Sequence, residues 1–216
     1  MTHSVFFCGN MMAGKSSASA YLAQLGFRVC SLAAPLKILE AIPKEASFRL
    51  DYLRLLNVAY ARGGGEKSEE YVLNVQKRLL KTLDTIARDE EKPVLRYQFL
   101  GESFRQEIGE DYWVRLLFAQ TRHRDPNALF VCDDVRYTNE VRLLRNAGWL
   151  GVALSVSSGM QEERAKLLKR EHALKLRGHA SEQDVQLIIQ SGVIPVVDAD
   201  VPLDAMLTKI EEVLSE

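Results

Sequence analysis

The chain has 216 residues, 47% of them hydrophobic, and a formal net charge of −1. That length fits one domain, or one core carrying a sizeable insertion, and the apolar content excludes a disordered chain. The near-neutral charge excludes general attraction to a nucleic acid polymer or an acidic membrane, so an anionic ligand has to be held by local clusters. No apolar run approaches the roughly 18 residues of a spanning helix. The N-terminus passes straight into an apolar run, without the basic-then-apolar pattern of a leader. The cysteines Cys8, Cys30 and Cys132 lie in apolar runs without C-x-x-C spacing. They predict buried, reduced thiols in a cytoplasmic protein.

In chain order, residues 4–8 read as a short buried strand. Gly9-Asn10-Met11-Met12-Ala13-Gly14-Lys15-Ser16 follows and fits G-x-x-x-x-G-K-[ST], the phosphate-binding P-loop. Residues 16–25 read as a helix, with Ala18, Tyr21, Leu22 and Leu25 at helical spacing. A strand, a glycine-rich loop and a helix in that order aim backbone N–H groups and a positive helix end at an anion. Residues 9–17, from Gly9 to Ser17, are thus the candidate ATP phosphate site. Lys15 is expected to reach the β- and γ-phosphates, and the Ser16 hydroxyl to ligate Mg²⁺. Met11 and Met12 put unusual bulk inside the loop.

Gly26 is the expected stop of this helix, and residues 27–32 form a second strand. Pro35 suits the first turn of another helix. No good strand then follows until about residue 127. Residues 48–62 are helical in pattern, broken by Gly63-Gly64-Gly65. Ser68 reads as an N-cap, with Glu69 and Glu70 suiting the positive helix end. Val72, Val75, Leu79, Leu83 and Ile86 extend an apolar stripe toward residue 88. Residues 96–104 and 112–120 add two shorter helices. The block reads as an all-helical insertion between two strands.

The third strand covers 128–132 and ends in Asp133-Asp134. A helix over 139–147, stopped at Gly148, leads to a strand over 150–156. Residues 161–177 read as a charge-dense helix. Residues 185–189 and 193–197 read as two strand segments, and 202–214 as a closing amphipathic helix. Strands that alternate with helices and are apolar on both faces predict a parallel sheet covered on both sides.

Several polar residues can carry chemistry. Four apolar residues followed by Asp is the Walker B shape, so Asp133 or Asp134 is expected to hold Mg²⁺ at a strand end beside the P-loop. Adjacent strand residues face opposite ways, so one of the pair faces the site and the other caps a helix or meets a cation. Arg136 can pair with a phosphate or a carboxylate. Arg105 in the helical block can grip a second phosphate or be a surface Arg. The run Arg164, Lys166, Lys169, Arg170, Lys175, Arg177 is either a solvated face or a lid closing over a triphosphate, with Arg164 and Arg170 the candidates to stabilise the transferring group. Ser181 and Glu182, after His179-Ala180, can brace such a lid.

Taken together and in order, several motifs resemble the deoxynucleoside monophosphate kinases carried by bacteriophages, a branch of the P-loop nucleotide kinases close to dephospho-CoA kinase. They are the P-loop, Ala34-Pro35-Leu36-Lys37, Gly101-Glu102-Ser103-Phe104-Arg105 with Trp113, Asp133-Asp134-Val135-Arg136-Tyr137-Thr138-Asn139-Glu140, and His179-Ala180-Ser181-Glu182. The resemblance implies an α/β fold: a P-loop NTPase core with a five-stranded parallel sheet flanked by helices, a helical acceptor-binding insertion and a helical lid. On this chain the core would cover about 1–46 and 125–216, the insertion 47–124 and the lid 160–182. It implies ATP and Mg²⁺ as cofactors and a deoxynucleoside monophosphate as acceptor. The expected setting is cytoplasmic (the host cytoplasm, if phage-encoded), with no nucleic acid polymer or membrane as partner and a homodimer as a possible assembly. Lys15 and Ser16 would serve the donor. Asp134, next to Val-Arg, would be the active carboxylate. Lys37, Arg105 and Arg136 would hold the acceptor. Two other classes compete: a small-metabolite P-loop kinase such as one acting on dephospho-CoA, and a nucleotide-dependent switch. A GTPase switch would carry an N-K-x-D motif, which this sequence lacks.

Overall fold

The computed structural model describes residues 2–86, 94–124, 127–171, 174, 178 and 180–215, without the side chains of 94, 95 and 122–124. The lid expectations for Lys175, Arg177 and His179 lie outside the described residues. The first elements are β1 (Val5–Gly9), α1 (Lys15–Gln24), β2 (Arg28–Cys30), α2 (Ala34–Ala41) and α3 (Phe48–Arg62). Next come α4 (Glu69–Leu83), α5 (Val94–Glu107), α6 (Tyr112–Arg124), β3 (Phe130–Val135) and α7 (Thr138–Asn146). The last are β4 (Leu150–Ser155), α8 (Ser158–Leu167), α9 (Ala180–Ser191), β5 (Val196–Asp198) and α10 (Leu203–Ser215). Among the described residues, no helix is long and apolar enough to cross a membrane.

The chain forms two compact units: Met1–Ser31 with Asn127–Glu216, and Leu32–Pro126. The first unit is the expected α/β sheet. Its five strands are all parallel, in the order β2-β3-β1-β4-β5. β1 is central and wholly buried, which is why residues 5–8 are apolar on both faces. Val5 and Phe7 share one core with Val131, Val152, Leu154 and Val197, closed by Ala18 and Leu22 of α1 and by Met206, Ile210 and Leu214 of α10. Strand alternation turns Phe6, Cys8 and Cys132 to the other face. There α7 and α9 pack, burying Val141, Leu144, Val185 and Ile188. Phe6 and Phe7 are fully buried, each contributing about 2–3 kcal/mol of transfer free energy.

Three sequence expectations are corrected here. Residues 185–189 belong to helix α9, not to a strand. The charged helix expected over 161–177 ends at Leu167, and Lys169 turns into the left-handed region at φ 53°. β3 starts at Phe130 rather than at residue 128 and runs one residue past the two aspartates, to Val135.

The second unit holds α2 to α6, so the helix carrying Pro35 belongs to it. Ser68 caps α4 by accepting the Tyr71 N–H. The stripe Val72, Val75, Leu79 and Leu83 is buried as its period requires, while Ile86 lies past the helix end. Phe104 and Trp113 stack with centroids 5.4 Å apart, and both are core residues. The glycine break after α3 has a packing cause: a Cβ on Gly63 would lie 1.9 Å from the Arg115 carbonyl oxygen. Ion pairs help hold this unit together. Arg96 Nε donates to Glu40 at 3.0 Å, and Arg49 grips Asp84 with two bonds at 2.8 and 2.9 Å.

Candidate functional site

The loop between β1 and α1 has the backbone its sequence demands. A Cβ on Gly9 would sit 2.6 Å from the Leu154 carbonyl oxygen on β4, so the strand end admits only glycine. Gly14 is the N-cap of α1 at φ 87°, and the first turn carries no acidic residue. The positive end of α1 and its N–H groups are therefore unopposed by a neighbouring carboxylate of that turn. Met12 also takes a left-handed conformation, at φ 62°. For a side chain of that size this costs on the order of 1 kcal/mol and is held in place by its surroundings. Gly9→Ala is expected to destabilise the protein by about 1–3 kcal/mol and to lower phosphate-ligand affinity with it. Thermal melting and nucleotide titration of the same variant check both.

Lys15 opens α1 and is 9% exposed. Its ammonium donates to the carbonyl oxygens of Gly9 at 2.6 Å and Asn10 at 2.8 Å. Burial pulls its pKa down to about 8, with the Arg136 guanidinium pushing the same way and Glu182, Cys8 and Asp133 opposing. A desolvated cation at the positive end of a helix, on a glycine-bounded loop, can attract an anion. Ser16 and Ser17 follow, both exposed. Cys8 beneath the loop is an inert thiol, its pKa pushed up to about 12 by burial. Cys132 is buried and held protonated by its contact with Cys30 and by burial, whereas Cys30 is only half-buried.

The two aspartates of β3 sit where the sheet register shifts: Phe6 pairs with Cys132 but Cys8 with Val135, so an extra β3 residue falls between those pairs and simple alternation does not hold there. The charge of Asp133 acts on Lys15. Asp134 is engaged by neighbouring side chains. Its Oδ2 accepts the Ser31 hydroxyl at 2.6 Å and its Oδ1 the Cys132 thiol at 3.2 Å. Just past the strand, the Arg136 N–H is held by Glu140 Oε2 at 2.9 Å, while Arg136 Nη1 donates to Glu182 Oε1 at 2.6 Å.

Two helices fasten the loop itself. From α9, Glu182 Oε2 accepts from Asn10 Nδ2 at 3.1 Å and from the Met11 N–H at 3.2 Å, and Gln186 Nε2 donates to Asn10 Oδ1 at 2.7 Å. From α8, Gln161 Nε2 donates to the Met11 carbonyl at 3.1 Å. Arg164 donates from Nη1 to the Met12 carbonyl at 2.9 Å and from Nη2 to the Ala199 carbonyl at 2.6 Å. The guanidinium of Arg164 is thus engaged with the backbone that shapes the loop. Arg170 lies beyond α8 and is exposed. Gln161 and Gln186 escape sequence reasoning, since glutamines on amphipathic helices carry no signal. The i, i+4 spacing of Glu182 and Gln186 on one helix face was the available clue.

The structure thus brings together Gly9, Asn10, Met11, Met12, Ala13, Gly14, Lys15, Asp133, Arg136 and Arg164. Lys37 and Arg105 belong to the helical unit. Lys37 is exposed on α2, and Arg105 is buried in the last turn of α5 with Nη1 donating to the Glu110 carbonyl at 2.9 Å. Among the described residues, no three His, Cys, Asp or Glu side chains gather as a metal site on their own.

The sheet and this loop define a parallel α/β protein with a G-x-x-x-x-G-K-S loop at the end of its central strand. A comparison with protein families finds none that matches the chain, and a comparison with curated proteins finds no match. Solved structures do align with it over its whole length. A sugar kinase from a Janibacter species is 15% identical, covering 100% of this chain and 95% of that one at a TM-score of 0.43. TT1252 from Thermus thermophilus is 18% identical, covering 99% and 97% at a TM-score of 0.46.

Proposed function

We propose that the protein transfers the γ-phosphoryl group of ATP to a nucleoside or deoxynucleoside monophosphate, giving the diphosphate and ADP. An oxygen of the acceptor phosphate forms a bond to the γ-phosphorus, and the bond from that phosphorus to the β–γ bridging oxygen breaks. The observation that carries this reading is the buried Lys15 at the heart of a glycine-bounded loop, under the combined charges of Arg136 and Asp133. Such chemistry asks little covalent work of a protein; positioning and charge neutralisation do most of it. The loop N–H groups and Lys15 neutralise the donor phosphates, and Arg136 meets the transferring or accepting phosphate. Mg²⁺ supplies further neutralisation when bound with the nucleotide. It needs few protein ligands because phosphate oxygens and waters complete its shell, and the exposed Ser16 hydroxyl with one of Asp133 and Asp134 would hold it. In the helical unit, Lys37 and Arg105 are the acceptor contacts. The ATP requirement fits a cytoplasmic setting.

The experiment is incubation with ATP–Mg²⁺ and each common ribo- and deoxyribonucleoside monophosphate, with dephospho-CoA alongside, and chromatographic separation of products. A diphosphate product from at least one monophosphate is the expected result. Product from dephospho-CoA alone keeps the reaction and changes the acceptor, and ATP turnover without any acceptor dependence rejects both. Within this reading, Arg105→Ala should raise KM for the monophosphate about ten- to hundredfold, the loss of a charge-assisted pair, and leave KM for ATP unchanged. Arg105→Lys should recover only part, because an ammonium lacks the two-pronged geometry. If Arg105→Ala moves neither constant, Arg105 is a structural brace through its bond to the Glu110 carbonyl.

A further inference from the structure

Glu182 is a carboxylate only 4% exposed, and both of its oxygens are in use. One takes the Arg136 guanidinium at 2.6 Å, and the other takes the Asn10 amide and the Met11 N–H at 3.1 and 3.2 Å. A buried carboxylate is costly unless cations and hydrogen bonds satisfy it, and here one cation and two neutral donors do so. Placed beside an anion site, its charge also opposes phosphate binding unless it is neutralised. Arg136, itself 34% exposed at its side chain, supplies that neutralisation while remaining open on its outer side. Gln186, one turn along α9, holds the far side of the same Asn10 amide. The first turn of the loop and the arginine beyond β3 are therefore set by one side chain on a third element.

We propose that Glu182 is a positioning residue, fixing the entry turn of the phosphate-binding loop and the guanidinium of Arg136 in one common geometry so that they act on the same phosphates together. This rests on the phosphotransfer reading above. Glu182 touches neither nucleotide; it acts through Asn10, Met11 and Arg136. Its effect is therefore distinct from general stability, because it appears in the constants of protein that is fully folded.

The test uses the full chain as wild type, Glu182→Gln, Glu182→Asp, Arg136→Ala, the Glu182→Gln/Arg136→Ala double variant, and Lys15→Ala as the control for ATP binding. Glutamine keeps the shape and one acceptor oxygen while removing the charge. Glu182→Gln is expected to weaken ATP binding about tenfold by calorimetry and to lower kcat about thirtyfold, with KM for the acceptor moving in the same direction as in Arg136→Ala and no further. The double variant is expected to lose little more than Arg136→Ala alone, since both remove one network. Glu182→Asp, which keeps the charge on a shorter stem, should recover part of kcat. If Glu182→Gln does not fold, Asn10→Ala cuts the loop end of the network without touching a charge and should weaken ATP binding in the same direction. Folded Glu182→Gln with wild-type constants overturns the proposal. So do losses that add fully to those of Arg136→Ala, unchanged ATP binding by Asn10→Ala where that variant stands in, and tighter ATP binding by Glu182→Gln, which would make the carboxylate a competitor of phosphate. If the wild type binds ATP and Lys15→Ala does not, such a failure belongs to Glu182 alone. If the wild type binds no ATP, the phosphotransfer reading falls and this proposal with it.

Discussion

Lys15→Ala is expected to lower phosphoryl transfer by about a thousandfold or more, roughly 4 kcal/mol of transition-state stabilisation, with the fold retained. The ammonium is buried in the loop and donates to the Gly9 and Asn10 carbonyls; on the phosphotransfer reading it would exchange those bonds for donor phosphate oxygens. The fold should survive because the charge is itself a burden: burial holds the pKa near 8 instead of its ordinary 10.5. The sign follows from linkage. Between those two values the unfolded chain binds more protons than the folded one, so this group makes stability rise with pH from about 8 upward and costs stability below that. Alanine removes the cost. Activity moves the other way. The free enzyme loses the ammonium as pH passes about 8, so kcat/KM for ATP should fall above that point, and the fall should be missing from the residual activity of the alanine variant. Bound phosphate favours the charged lysine, so the limb in kcat should lie at higher pH than the limb in kcat/KM. A folded Lys15→Ala protein with near-normal turnover would sink the loop assignment.

Where local signals were strong, the sequence spoke for the structure. The helix expected over 48–62 is α3, Phe48–Arg62, because a clear apolar period ends at a glycine that only close packing explains. Ser68 caps as its position implied. The strand–loop–helix around Lys15 was legible because glycine, lysine and serine each occupy the position their chemistry needs. The misreadings have two physical sources. A short apolar run such as Val185, Leu187, Ile188 and Ile189 has no decisive period, and only Val185 and Ile188 turn inward, at helical spacing. In 161–177 the charged residues all favour helix, yet the apolar phase is lost after Ala165, leaving Leu167 and Leu168 exposed.

The site itself was half legible. What the local sequence could not carry were pairings across the chain. Glu182 is buried because its partners are Asn10 and Met11, more than a hundred and seventy residues earlier in sequence, and Arg136. Without them, a glutamate in the first turn of a helix looks like an ordinary response to the helix dipole. Arg164 has the same history. A charge-dense helix reads as a solvated face or a mobile lid, and only the fold shows its guanidinium bonded to the Met12 and Ala199 carbonyls.

The aspartate pair carries the second large expected effect. The family resemblance favours Asp134, through its place before Val135-Arg136. The contacts of the pair favour Asp133, whose charge acts on Lys15, while Asp134 is taken up by Ser31 and Cys132. Asp133→Asn is therefore expected to cost about a hundredfold to a thousandfold in turnover and to raise the Mg²⁺ concentration needed for half-maximal rate. The amide keeps the size and removes the charge, so melting should change little. Asp134→Asn should keep activity within about tenfold and instead lose stability, about 1–2 kcal/mol, because the Ser31 hydroxyl then meets a neutral partner in place of a carboxylate. Rates across an Mg²⁺ series and thermal melts on both variants separate the two roles. Should Asp134→Asn prove the more damaging to rate while leaving stability intact, Asp134 is the working carboxylate, and Ser31 serves to orient it.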